Sequence, residues 1–407
     1  MRFGHGSRPL VAFSAWLVLA LGAALAWTPR AQAAPFTPSD DAQIVETLPS
    51  VAGWSLKTRR LKRELLQRPR DEATALEAAT AYLDLARSQG DARYAGHSLG
   101  VLQAWEPLTA ATPERILVMH ATVTQFLHEF DRAESTLRLA IASHPDNAQA
   151  WLTLATLQRL RGRFAESDTS CRSLGALRQN LYALACLAEN AALRGEPARA
   201  RDTLRGLLAS PAMRAPDQGA SRAWLLTTLA EVEELAGRPD EAETAYREAL
   251  KSGRDGYDQI AYADFLLARG RPAEVGPLLA AEARSDAVLL RLVIAARRSA
   301  GGGNASFERD RAELQARFDA AAERPGAAAV HAREQALFAL DVRDDPAAAL
   351  RLARLNVELQ REPVDLVLLA RAATAAGDAA ARDEVRSLMQ RIGLRDARVD
   401  AVLASAR

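Results

Sequence analysis

Few residue types in this 407-residue chain are suited to covalent or metal chemistry, and none is grouped for it. A zinc-type site needs convergent His, Cys or carboxylate ligands. The six histidines are scattered, and the two that share a helical stretch, His120 and His128, lie eight residues apart. The sequence holds no G-x-S-x-G elbow, no H-E-x-x-H and no C-x-x-C. Adjacent acids such as Glu233–Glu234 or Asp344–Asp345 become an acid and a base only if their surroundings drive their pKa values apart. The GGGNAS stretch at 301–306 has the glycines of a phosphate loop but no Lys-Ser or Lys-Thr after it, so it reads as a flexible break or hinge. No catalytic residue, metal or cofactor is expected, and the chain reads as non-enzymatic. That leaves Cys171 and Cys186, either a disulfide or two small buried thiols.

Charge and the first residues narrow the setting. Lys and Arg total 52 against 51 acids, which supplies no net attraction to nucleic acid. Arg2 and Arg8 lead into VAFSAWLVLALGAALAW and then TPRAQA, the charged start, apolar middle and A-x-A ending of a secretory signal peptide. Residues 1–33 are expected to be removed after Ala33, leaving 49 basic and 51 acidic residues and a periplasmic or secreted protein. If retained, the 17-residue run Val11–Trp27 would be at the short end for a membrane anchor. No later segment is apolar for long enough to span.

The elements that must position any site come from an internal period. A shift of 34 residues aligns Leu117 with Trp151, Ala121 with Ala155, Phe130 with Phe164 and Leu137 with Cys171. Further shifts of 33, 42 and 33 carry the same signature to Leu187, Ala188, Gly195 and Leu204, then Leu229, Ala230, Gly237 and Tyr246, then Tyr262, Ala263, Gly270 and Leu279. Upstream it sits at Tyr82, Leu83, Gly90, Ala95 and Leu99. Within each unit, apolar and small residues recur three and four apart on both sides of a break such as RGRFAES, RGEPARA or AGRPDEA, the pattern of two amphipathic helices. Gly ends the first helix and Pro starts the second. Alanine, leucine and arginine dominate, aromatics are 5%, and β structure should be near absent.

These units resemble the tetratricopeptide repeat, with its W-x2-L-G-x2-Y, A-x3-F and closing Pro at a 34-residue period. NAQAWLTLATLQRLRGRFAES, the preceding EFDRAESTLRLAIASHPDN and EELAGRPDEAETAYREAL are close copies. Ser167 and Val275 depart from it, standing where the second helix has a small Ala. The resemblance implies an all-α fold, a right-handed superhelical solenoid of about eight or nine antiparallel hairpins, because one hairpin cannot bury its apolar face alone. The chain then divides into the signal (1–33), an N-terminal extension with capping helices (34–72), the array (73–285) and degenerate helical repeats (286–407). In the extension, Asp40 and Asp41 read as helix caps, and KTRRLKRELLQRPR as an ordinary capping helix on Leu56, Leu61, Leu65 and Leu66 or as a basic contact to anionic surfaces.

Cys171 falls in the second helix of one unit and Cys186 in the first helix of the next, each about seven residues from the turn near Arg178–Gln179. They stand at one height, as a bridge requires. The resemblance also implies a concave groove lined by the first helices. By matching position it would show Glu77, Asp84, Arg87, Arg115, Gln125, Phe126, Arg159, Tyr182, Glu189, Trp224, Glu231, Glu234, Tyr257 and Asp264. Aromatic rings with neighbouring carboxylates suit a peptide-holding surface. The Lys and Asn clamp with which some family members grip a C-terminal carboxylate is missing, since those places hold Val118, Thr122, Leu152 and Thr156. The sequence therefore reads as a non-enzymatic scaffold for a protein or peptide in envelope assembly, secretion or complex maturation. The alternative is a polysaccharide-handling or export accessory factor at the envelope.

Overall fold

The computed structural model describes residues 56–253, 256–300, 305–322 and 331–405. The described residues all belong to one compact unit, Gly53–Arg407. The signal segment, the Asp40 and Asp41 caps and the glycine run of the 301–306 break lie outside them.

Among the described residues every regular element is helical. A leading helix α1 (Leu56–Gln67) packs on α2 (Glu72–Gln89), which pairs with α3 (Ala92–Leu102). The next pairs are α4 (Glu114–Phe126) with α5 (Phe130–Ser143), α6 (Ala148–Leu160) with α7 (Phe164–Ala176), α8 (Asn180–Leu193) with α9 (Pro197–Ala209), and α10 (Gly219–Leu235) with α11 (Pro239–Ser252). Then α12 (Gly256–Ala268) meets the short α13 (Val275–Leu279), and α14 (Asp286–Ala300) meets α15 (Ala305–Ala322). In the later part, α16 (Ala332–Asp341) pairs with α17 (Pro346–Leu359) and α18 (Pro363–Ala375) with α19 (Ala379–Ile392), and α20 (Ala397–Ala404) follows. The fold is thus an all-α superhelical solenoid of tetratricopeptide-type hairpins.

The repeated positions form two buried columns. Ala121, Ala155, Ala230 and Ala263 are wholly buried, so the helices of each pair approach without a large side chain between them. Leu137, Cys171, Leu204, Tyr246 and Leu279 fill the second helices, all at 1% exposure or less. Ser167, one of the departures, is buried without loss of a partner: its hydroxyl donates to the Ala155 carbonyl at 2.8 Å and accepts from Asn190 Nδ2 at 2.9 Å. Trp151 anchors its pair by donating its indole N–H to the Pro145 carbonyl at 2.8 Å. Turns follow the expected chemistry, with Pro opening α9, α11, α17 and α18. The left-handed turn residue is Gly in most pairs, but His128 (φ 61°) takes it between α4 and α5 and Asp344 (φ 57°) between α16 and α17. Asp345 caps α17 by accepting from Ala348 N at 2.9 Å, so the Asp344–Asp345 pair is turn machinery.

First helices touch the first helices of neighbouring pairs, whereas second helices make no comparably broad contact with one another. In a curved stack the closer set lies inside, so α4, α6, α8, α10, α12 and α14 line the inner face. The curvature is tight enough for successive windings to meet. Gly90, at the α2–α3 turn, abuts Ser285 just before α14. Gly162 faces Ile392, where an added Cβ would come within 3.3 Å of its Cγ2, and Gly195 faces the Arg395 side chain at 3.1 Å. Two last-turn helix carbonyls that need outside donors find them across this seam. Arg361 N donates to Leu160 O at 2.7 Å, and Arg395 N donates to Leu193 O at 2.8 Å. The Arg361 guanidinium also donates to Arg161 O at 3.1 Å, between residues 200 apart in the chain. Gly237 lies against Ala397 at the start of α20.

Cys171 and Cys186 are disulfide-bonded, with Cα atoms 6.0 Å apart, joining α7 to α8 across the Arg178 turn. Closing this 15-residue span contributes about 3 kcal/mol in the chain-entropy account. Unreduced protein is expected to show no free thiol by mass labelling, and Cys171→Ala/Cys186→Ala to unfold at clearly lower denaturant. Two labelled thiols in oxidised material would refute the bridge. At the seam, Ala397→Trp should wedge the windings apart. Small-angle scattering should then report a larger radius of gyration at unchanged helicity, and an unchanged radius would show that the windings are not held there.

Candidate functional site

The inner face carries two rows of side chains at matched heights on α8, α10 and α12. Tyr182, Trp224 and Tyr257 stand near the helix starts, and Glu189, Glu231 and Asp264 seven residues further on each helix. Seven residues are nearly two helical turns, so each aromatic and its acid share a face. Tyr182 and Trp224 pair with ring centroids 5.8 Å apart. Trp224 also packs on the core, which anchors it while Tyr182 stays 36% exposed.

The acid row is tied sideways. Arg159 on α6 meets Glu189 at 3.0 Å. Asp264 receives a two-pronged clasp from Arg291 on α14, at 2.8 and 2.7 Å. Further along, Arg333 on α16 meets Glu362 at 2.5 Å and Asp365 at 2.7 Å. Between these rungs, Glu231 has no cation at ion-pair distance among the described residues; the Tyr257 hydroxyl donates to its Oε1 at 2.5 Å. Glu234, one turn along α10, accepts from Tyr246 at 2.7 Å and meets Arg398 of α20 at 3.2 Å. Its neighbour Glu233 points the other way and is clasped by Arg201 at 2.5 and 2.7 Å, so the two consecutive acids serve different faces.

Burial pushes the Glu231 carboxyl up to about 8, with Glu189, Glu234 and Glu362 adding to the rise against the Tyr257 hydrogen bond. Glu189 is raised by burial as well, opposed by Arg159. The Glu231 charge, then burial, holds the Tyr257 phenol well above its ordinary range, which keeps it a donor. Tyr257 nevertheless leaves 61% of its surface open. Its hydroxyl end meets the carboxylates Glu231, Glu189 and Glu362.

The other residues singled out from the sequence lie elsewhere or are otherwise engaged. Arg115 is exposed, 4.0 Å from Glu72. Gln125 is half-buried in the last turn of α4. Phe126 packs with Leu83, Ala86, Ala95 and Val123, so its ring belongs to the core between α2, α3 and α4. His120 is 2% exposed with Nε2 3.2 Å from Glu106, and burial pushes its imidazole down. Arg291, Arg398 and Glu362 are inner-face residues that the repeat pattern does not flag, because they belong to later units whose signature is weak. Among the described residues no cluster of three His, Cys, Asp or Glu could hold a metal, and no helix is long and apolar enough to cross a membrane.

No family model and no curated protein matches the sequence. Among solved structures, the chain is similar to a thermophilic TPR protein of Thermus thermophilus, at 19% identity over 48% of this chain and 99% of that one, with a TM-score of 0.37. It is also similar to a tetratricopeptide repeat protein from Parabacteroides merdae, at 12% identity over 63% and 91%, TM-score 0.41. A third is PilF of Pseudomonas aeruginosa, at 14% identity over 59% and 98%, TM-score 0.33.

Glu231 makes stability depend on pH with a definite sign. Its folded pKa lies above the ordinary 4.5, so between roughly pH 4.5 and 8 the folded chain holds a proton that the unfolded chain has released. Its contribution to stability therefore falls as pH rises through that window and is flat above it. Glu231→Gln should remove this loss and gain on the order of 1–3 kcal/mol relative to wild type at pH 9 compared with pH 5. Parallel stability curves in urea would disprove the shift.

Proposed function

We propose that this chain is a non-enzymatic scaffold, exported to the periplasm or secreted after cleavage behind Ala33, that holds an extended segment of a partner protein along the inner face of α8, α10 and α12. The observation that carries the reading is the aromatic row Tyr182, Trp224 and Tyr257, in register with the acid row Glu189, Glu231 and Asp264. An extended peptide crossing three helices meets rings that give contact area at low entropic cost and acids that set polarity. The disulfide and the interlocked windings favour a rigid frame, which limits the ordering cost of binding. Envelope assembly, secretion or complex maturation are the processes such an exported scaffold would serve.

The test is crosslinking and affinity capture of the tagged full-length protein from its own envelope fraction, beside Tyr182→Ala/Trp224→Ala. One protein recovered with wild type, and reduced at least tenfold with a variant of unchanged helicity, is the expected outcome. Recovery unaffected by the variant would remove the inner face from consideration. Binding of purified glycan with no protein captured would favour the polysaccharide-handling alternative.

A further inference from the structure

Among the described residues, several acids of the inner face are paired with arginine, and Glu231, beside the aromatic row, is not. Each acid that faces Glu231 has an arginine of its own: Glu189 has Arg159, Glu234 has Arg398 and Glu362 has Arg333. Among the described residues, Glu231 in this group is met by a phenol instead. The neighbouring rung offers a comparison. Asp264 on α12 is clasped by the residue 27 positions later on the following first helix, Arg291. Glu231 on α10 meets the residue 26 positions later on its following first helix, and that residue is Tyr257. The contact from the following first helix is thus a neutral phenol on the Glu231 rung and a guanidinium on the Asp264 rung.

Resting on the reading of this face as a peptide-holding surface, we infer that Glu231 is the docking point for a cationic side chain of the partner, a guanidinium or ammonium, which completes the vacant rung while flanking apolar residues of the same segment lie on Tyr182, Trp224 and the exposed Tyr257 ring. A cation brought to a carboxylate crowded by Glu189, Glu234 and Glu362 relieves their mutual repulsion, and a partly desolvated site strengthens the pair relative to bulk water. A guanidinium can bridge the Glu231 carboxylate and stack on an aromatic face at once, which favours arginine over lysine. The raised Glu231 pKa gives the same conclusion from another side, because the group holds a proton in the absence of a better cation. Arginine binding must then displace that proton, so affinity should fall as pH drops from 9 to 6.

The experiment uses the full chain and four libraries of acetylated, amidated hexapeptides with randomised apolar flanks, the fixed central residue being arginine, lysine, citrulline or leucine. Citrulline keeps the shape of arginine without its charge. The arginine library is expected to bind at least tenfold more tightly than the citrulline library, with lysine between them, and Glu231→Gln should erase the difference. Tyr257→Arg supplies the cation within the chain. It should abolish the arginine preference while raising thermal stability, a pairing that loss of fold cannot produce. Equal binding of arginine and citrulline libraries, still lost in Trp224→Ala, overturns the cation site and leaves the peptide-holding face intact. Failure of all four libraries to bind overturns both.

Discussion

A single tetratricopeptide-type hairpin has an apolar face that it cannot cover, and the whole structure follows from how that face is covered. Wholly buried alanines at 121, 155, 230 and 263 bring paired helices close, and large buried residues at 137, 204, 246 and 279 fill the space behind them. Because the same two columns recur from pair to pair, each pair buries its face against the last. The inner set of helices is pressed together and the outer set splayed. Curvature is therefore a product of side-chain size, repeated along the chain.

Tight curvature has a second effect, which is to bring distant turns into contact. The α6 and α8 helices end with carbonyls that lack intrahelical donors, and backbone amides at Arg361 and Arg395 supply them. Glycines at 162 and 195 leave room for Ile392 and Arg395. Any residue with a Cβ at those turns would also carry the strain of positive φ, so one residue type meets a local and a long-range demand together. The windings consequently support each other, and the inner face becomes a confined, charge-lined surface.

Confinement explains the electrostatics of that surface. Arginine and carboxylate rungs join α6 to α8, α12 to α14 and α16 to α18, and each keeps its charges paired where protein surrounds them. The unmatched Glu231 is costly to ionise in the same surroundings, which is why its proton is held to higher pH. An open groove would leave such an acid solvated and ordinary. The aromatic row beside it, half anchored in the core, gives the same region an apolar surface that water does not satisfy.

Helix pairs, their order and the two buried columns are legible in the sequence, because helical periodicity and turn chemistry act over a few residues and recur in register. Turns without glycine are harder to read: His128 adopts the left-handed conformation at a place where the pattern alone offers no signal. The pairing of Cys171 with Cys186 is half legible, since their equal distance from a turn permits a bridge while buried neighbours at 137 and 204 permit simple core filling. Phe126 belongs to a core and Glu231 to a vacant rung, and position in a repeat does not separate those roles. By itself the sequence determined the local units and the faces they must bury, because those depend on neighbours three and four residues apart. Only the tertiary structure decided where the windings meet and which inner-face acids an arginine reaches, because both depend on how helix pairs pack on one another, beyond the reach of neighbours three and four residues apart.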